Sequence, residues 1–316
     1  MANQTEPKKS GFFSLIKNLF ILLLFLQFAP TIIINIKNYI KEAITPKSQV
    51  GLLKVRGLIE DSSFYVKKIQ KFLKDPEIKA LLLKIDCPGG LPGSSQAVFS
   101  ELKRFKKEKP VVVYVENVCA SGGYYVAAAS NHIISTPSAL IGSIGVCLSL
   151  PNVKERLNDW KIKFNYIQSG KYKTMGSPLR DTTPEELDFL QNLSNNHYEQ
   201  FIKDMSQSRN LDIQKQKTWA DGKVFAGNEA LKLNLIDQIG AQEEAIEKIK
   251  ELAKIETEIK FIRPVRPSFL ARLFGAGEEN GTSPSFSSYI ATTLSDIYDK
   301  FVIKQTTECC GKININ

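Results

Sequence analysis

The stretch VVVYVENVCASGGYYVAAA, residues 111–129, decides how the rest of the chain is read. It begins as an apolar β-branched run, breaks into small residues at Ala120, Ser121, Gly122 and Gly123, and continues rich in alanine. Strand, sharp turn and helix are expected in that order, because β-branched side chains suit a buried strand and bare glycines allow the backbone to turn abruptly. The turn puts Ser121 at the C-terminal end of a buried strand, beside the unpaired N–H groups that open a helix. A hydroxyl there is poised as a nucleophile, although a serine that only caps the helix fits the same residues.

Outward from this stretch, strands and helices alternate. Residues 50–59 read as a strand, residues 63–73 carry Val66, Ile69 and Phe72 at helical spacing, and residues 80–85 form the next apolar run. A DCPGG loop at 86–90 then leads to a helix with Val98, Phe99, Leu102 and Phe105 on one face. Beyond the central stretch, strands are expected at 132–135 and 164–168 with a short helix at 153–160 between them. Thr183-Pro184-Glu185-Glu186 is a capping box with proline at the first helical position. It opens a helix to about Met205 that points Leu187, Leu190, Tyr198, Phe201 and Ile202 at the core, and further helices are expected at 227–234 and 241–255. Short buried strands separated by helices indicate an α/β fold with a mainly parallel sheet, whose site loops belong at the strands' C-terminal ends.

A second stretch, YIQSGKYKTMGSP at 166–178, supplies Lys171 and Lys173 just after a strand-like run. A lysine at its reference pKa of about 10.4 is almost wholly charged at pH 7, so it acts as a base only when desolvation lowers that value by about three units. Each unit costs about 1.4 kcal/mol, so folding must supply roughly 4 kcal/mol by drying the amine. Period-two alternation puts both lysines on one face of an extended segment, and geometry read from sequence does not choose between them.

These residues resemble the short-form signal peptide peptidase SppA family of serine–lysine membrane proteases. The resemblance rests on DCPGG at 86–90, ASGGYY at 120–125, GSIG at 142–145, SGKYK at 169–173 and ADGKVF at 220–225, in the family's order across residues 48–262. It implies a Clp protease/crotonase-like fold with Ser121 as nucleophile and Lys173, selected by the family spacing, as general base. Lys171 is the runner-up. Ser143 is implied as the residue that orients the lysine amine. Gly89 or Gly90, together with the amide of Ser121 or Gly122, would donate to the oxyanion, since a glycine-rich turn aims N–H groups into a cleft without side-chain obstruction. The implied enzyme cleaves peptides, such as signal peptides left after export, through an acyl-enzyme, with no metal or cofactor. It also implies a ring-like homo-oligomer, and leaves open whether Ser121 and Lys173 meet within one subunit or across two. A crotonase-type acyl-thioester enzyme and a catalytically silent membrane scaffold are the rival readings.

Composition narrows the field further. The chain has 316 residues, 43% of them hydrophobic, enough to bury a full core. Its net charge of +9 is spread through lysine-bearing helical patterns mixed with acids, with no aromatic-interleaved basic stripe, which fits a surface near an anionic membrane better than a nucleic-acid partner. The five cysteines, Cys87, Cys119, Cys147, Cys309 and Cys310, form no zinc-type spacing, and the first three read as small buried hydrophobes beside the site loops. His132 and His197, the two histidines, read as structural, which counts against a Ser–His–Asp triad.

Ahead of this body, residues 18–36 form an uncharged apolar run that reaches about 28 Å as a helix, close to the hydrocarbon thickness of a bilayer. Gln27 and Ala29 before Pro30 make a poor cleavage site, so an uncleaved anchor is expected. Lysines flank it on both sides and do not set its direction. The resemblance implies a bacterial inner-membrane protein with residues 1–17 in the cytoplasm and the catalytic body outside. The expected organisation is an anchor at 18–36, a linker at 37–47, a protease domain at 48–262 and a linker with tail at 263–316, in which residues 289–303 regain helical spacing.

Overall fold

Three ten-residue strands with apolar centres stack as neighbours and set the frame of the molecule. The structure is a computed structural model that describes residues 10–44 and 46–264. Helix α1 (Ser10–Ile44) precedes β1 (Lys47–Arg56), α2 (Ser63–Lys74), β2 (Ile78–Cys87), α3 (Pro92–Lys106), β3 (Val111–Ala120) and α4 (Gly122–Ala127). Then come β4 (His132–Ser135), β5 (Leu140–Gly142), α5 (Lys154–Asp159), α6 (Pro184–Arg209) and α7 (Gln216–Trp219). The described chain closes with β6 (Val224–Ala226), α8 (Gly227–Lys232), β7 (Gln238–Ile239), α9 (Gln242–Ala253) and β8 (Glu258–Ile262).

The strands make one sheet of order β6-β5-β3-β2-β1-β8, with β4 beside β3 and β7 beside β4. Every pairing is parallel except β5 with β6. The strand centres, Val50–Leu53, Ala80–Leu83 and Val111–Val115, are free of charge because both faces of the sheet are covered there. Leu53, Val55, Leu81, Leu83, Ile85, Val111, Val113 and Val115 face the larger core with α2, α3, α4 and α6. Their alternates Val50, Leu52, Ala80, Leu82, Val112 and Tyr114 pack under α9 against Ala245 and Ile249.

One edge of β3 is shared. Residues 112–115 pair with β4, while residues 118–120 pair with β5. The chain therefore forks just before Ser121, and the ASGG turn emerges where β5 and the DCPGG loop flank it.

Several expectations differ from this architecture. Residues 164–168 form no strand; Phe164, Tyr166 and Ile167 are exposed and meet no ladder partner among the described residues. A strand is held by cross-strand bonds, and apolar content alone does not provide them. The capping box is realised, with Thr183 Oγ1 accepting from the Glu186 N–H at 3.3 Å and Glu186 Oε2 accepting from the Thr183 N–H at 3.0 Å. Only the second half of α6 reaches the core through Phe201, Ile202 and Met205, and Leu187 is exposed. Its first half stands clear of the sheet. The short strands β5, β6 and β7 and the edge strand β8 add to those read from sequence.

Helix α1 carries the apolar run over Lys17–Asn35 and is long and apolar enough to cross a membrane. It continues to Ile44, where a linker was expected, and β1 begins three residues later. The helix expected at 289–303, and Cys309 and Cys310, lie outside the described residues.

Candidate active site

Ser121 occupies the junction of β3 and α4 with φ 49° and ψ −122°. A non-glycine residue held in that sparsely populated region stores about 1–3 kcal/mol of strain, so the surroundings must impose it. They do so at both sides of the residue. The Ser121 N–H donates to the Gly142 carbonyl at 2.7 Å, and its own carbonyl accepts from the Tyr125 N–H at 2.9 Å. The side chain makes no capping hydrogen bond, so the plain cap reading is not what this serine does here. A sharp strand-to-helix turn of this kind lifts a hydroxyl clear of the sheet.

The DCPGG loop closes on that turn. Gly89 has φ 145°, and a Cβ placed there would lie 3.3 Å from Ser121 Oγ and 3.1 Å from Ser121 Cβ. At Gly122 a Cβ would meet Ser95 Oγ at 2.3 Å and the Gly90 nitrogen at 3.1 Å. Both glycines are thus required by close approach. Gly90 is held by a bridge to Ile59, in which the Ile59 N–H donates to Gly89 and the Leu91 N–H to Ile59, each at 2.9 Å. The N–H groups of Gly89, Gly90 and Gly122 have no backbone partner among the described residues, and of the three Gly90 and Gly122 border the cavity next to Ser121. They are the donors left over beside Ser121, whereas the Ser121 amide, the other candidate, is already bound to Gly142.

Ser121, Gly90, Gly122 and Ser143 line a cavity of about 370 Å³. Ser143 also has positive φ, 49°, and its N–H donates to the Lys223 carbonyl at 2.7 Å, which ties the GSIG loop to the ADGKVF turn. The remaining wall includes Tyr125, Phe201, Val146, Cys147 and His197. Sequence reasoning placed His197 in a structural role and Cys147 among buried residues. The structure puts both on this wall, with Cys147 exposed, because α6 and the 146–150 segment converge over the GSIG loop. The sequence offered no signal for that convergence. Cys87 and Cys119 are buried, and burial pushes both thiols up, Cys119 the more strongly. A thiol kept protonated is no rival to the Ser121 hydroxyl.

Neither lysine lines this cavity in the single chain. Lys171 is 2.5 Å from the Glu185 carboxylate, which pushes its ammonium up and so works against a role as a neutral base. Tyr172 donates to Glu185 at 2.7 Å and stacks on Phe189 at 5.3 Å, while Arg180 grips Glu186 at 2.5 and 2.8 Å. These contacts hold the 166–180 segment against the protruding half of α6. Lys173 rides on that segment with its side chain exposed and its ammonium without a hydrogen-bond or ion-pair partner among the described residues.

Comparison with known proteins gives this geometry a context. A profile of peptidase family S49 matches residues 103–256. A cyanobacterial protein from Synechocystis, named as a protease, is 34% identical over 237 residues, covering 74% of this chain and 85% of its own length. A Methanocaldococcus jannaschii protein, also named as a protease, is 36% identical over 196 residues, or 62% of this chain and 63% of that one. An Enterococcus faecium protein named for signal peptide peptidase SppA is 32% identical over 192 residues, or 60% of this chain and 56% of that one.

Proposed function

This chain belongs to peptidase family S49, and from that premise we propose that it is a membrane-anchored serine endopeptidase in which Ser121 pairs with Lys173 of a neighbouring copy. The observation that carries the proposal is the strained backbone of Ser121, whose uncapped hydroxyl borders a cavity beside two unpaired N–H groups. Ser121 Oγ attacks the scissile carbonyl and gives its proton to the neutral lysine amine. The Gly90 and Gly122 N–H groups stabilise the oxyanion, the lysine protonates the leaving amine, and water then releases the acyl group. Ser143, on the cavity wall, orients the amine.

Support for completion across subunits comes from the segment that carries Lys173. Leu148, Trp160, Ile162, Phe164 and Ile167 are exposed along it. A second copy covering these side chains would bury them and dry the amine, which is the condition a lysine base requires. The apolar α1 fits the anchor, and spent signal peptides or other membrane-proximal peptides fit a body tethered there.

A fluorophosphonate probe and a peptide substrate test the reading together. Ser121→Ala is expected to abolish labelling and to lower hydrolysis by more than about a thousand-fold, Lys173→Ala to lower hydrolysis comparably, and Lys171→Ala to retain most of it. Mixing the inactive Ser121→Ala and Lys173→Ala proteins under conditions of subunit exchange should recover activity, since some interfaces then hold both groups. A Ser121→Ala protein that is still labelled would overturn the nucleophile. A mixture that stays inactive despite exchange would overturn the shared site, and activity lost in Lys171→Ala but kept in Lys173→Ala would move the base to Lys171.

A further inference from the structure

In the sequence the lysines look dispersed, but the parallel topology gathers many of them at one end. Each strand of a parallel sheet starts at the same edge, and each crossover helix returns there with its C-terminus. The registers place Lys47 beside Glu258, Gln49 beside Ile78, and Leu81 beside Val111. The last turns of α2 and α3 meet at this edge, where the Lys109 ammonium donates to the carbonyls of Phe72, Leu73 and Asp75 at 3.1, 2.8 and 2.6 Å. Residues 67–79 and 103–109, which form this corner, hold ten Lys and Arg against three Asp and Glu.

Some of these cations have internal duties. Besides Lys109, Lys106 donates to the Ser130 carbonyl at 2.6 Å, and Lys103 sits 5.3 Å from the Phe99 ring centre. Others do not. Lys71, Lys74 and Lys107 are exposed, and their ammonium groups have no hydrogen-bond or ion-pair partner among the described residues. The helix dipole favours lysines in a last turn and at a C-cap such as Lys107, and Lys79 at the start of β2 donates to the Pro76 carbonyl at 3.1 Å, yet the charge of the corner as a whole stays open to solvent.

The same edge receives the apolar helix. The uncharged run of α1 ends at Ile36, the helix runs on to Ile44, and β1 starts at Lys47. Eight helical residues rise about 12 Å, and three further steps add at most about 11 Å, so the start of β1 cannot lie far from the headgroups. Ser121 and the DCPGG loop are at the opposite end, at the C-termini of β2 and β3.

We infer that the lysine-rich corner formed by the ends of α2 and α3 docks on anionic lipid headgroups of the membrane that α1 spans. The inference rests on the anchor reading and adds a second point of attachment to it. Two contacts restrain a body that one helix would leave free to swing, and they hold the cavity away from the bilayer. Close to an anionic surface each basic residue contributes about a five-fold gain in association, and that gain decays within a Debye length of about 8–10 Å.

The full chain in phosphatidylcholine vesicles, with and without phosphatidylglycerol, tests this. The readout is the rate at which a water-soluble acylating reagent modifies each lysine. Lys71, Lys74 and Lys107 are expected to react about five-fold more slowly in the anionic vesicles, with Lys217 and Lys223 unchanged. About 0.5 M salt should erase the difference. The triple variant Lys71→Glu, Lys74→Glu, Lys107→Glu should leave the remaining lysines of the corner equally reactive in both lipids. A chain that floats with both vesicle types but shows equal rates overturns the docking surface and leaves the anchor standing. A chain that does not float with phosphatidylcholine vesicles overturns the anchor and the docking surface together.

Discussion

The sheet and the 146–182 segment both carry many apolar side chains, yet only the sheet buries them. Leu81, Leu83, Val113 and Val115 are inaccessible, while Trp160, Phe164 and Ile167 are open to solvent. The difference separates the two halves of the proposed site. The Ser121 turn is imposed from within one chain by Gly142, Tyr125 and the DCPGG loop. The Lys173 segment is held only by local contacts to α6, and nothing in the single chain dries it. In the proposed dyad the group that must be rigid is built into the core, and the group that must be desolvated lies on an exposed segment that the proposed assembly would cover.

Core and arm should respond oppositely to truncation, and this is the largest contrast expected. Leu83→Ala removes a side chain from the centre of β2 and should cost about 2–5 kcal/mol, read as a fall in the denaturant midpoint. Ile167→Ala should change the stability of the isolated chain by less than about 0.5 kcal/mol and instead weaken self-association, measured by sedimentation. An equal loss of stability at both sites would erase the distinction.

Within the Ser121 turn the contrast sharpens to a single atom. Gly89→Ala introduces a Cβ about as close to Ser121 Oγ as a hydrogen-bonded group, at a backbone angle that side chains avoid. Peptide hydrolysis is expected to fall about a hundred-fold, because positioning groups within a site tolerate little displacement. Wild-type rates in this variant would show that the loop does not constrain the nucleophile.

The smallest effect expected concerns the arm's attachment to α6. The Arg180 guanidinium, and then the Thr183 N–H, hold the Glu186 carboxyl down at about 2. A carboxyl depressed on folding stabilises the folded state above its ordinary pKa of about 4.3, and that contribution is lost as pH falls toward about 2. Amide exchange at the start of α6 should therefore quicken over that window while the central strands stay protected. Glu186→Gln should remove the pH dependence, and an unchanged acid response in that variant would assign the effect elsewhere.

Much of the fold was legible because its signals are local. The 111–129 stretch, the Thr183 capping box and the helical spacing around Ile69, Phe72, Leu102 and Phe105 need only neighbours in sequence, and the structure has those elements in place. The 164–168 strand failed for the converse reason, since a strand needs a partner and this run has none in the single chain. His197 reads from sequence as structural and Cys147 as buried, because their places on the cavity wall follow from how α6 and the 146–150 segment converge.

Sequence alone determined the family's motifs, the alternation of strands and helices from β1 to α4, the apolar run of α1 and the identity of the candidate nucleophile. Tertiary structure alone decided that Ser121 is strained and uncapped, that Gly90 and Gly122 keep their N–H groups available, that Lys171 is committed to Glu185, and that the lysines of α2 and α3 share one end. The reason is physical. Backbone preference and amphipathic period act over a few residues, whereas strain, desolvation and surface charge arise from atoms that only folding brings together.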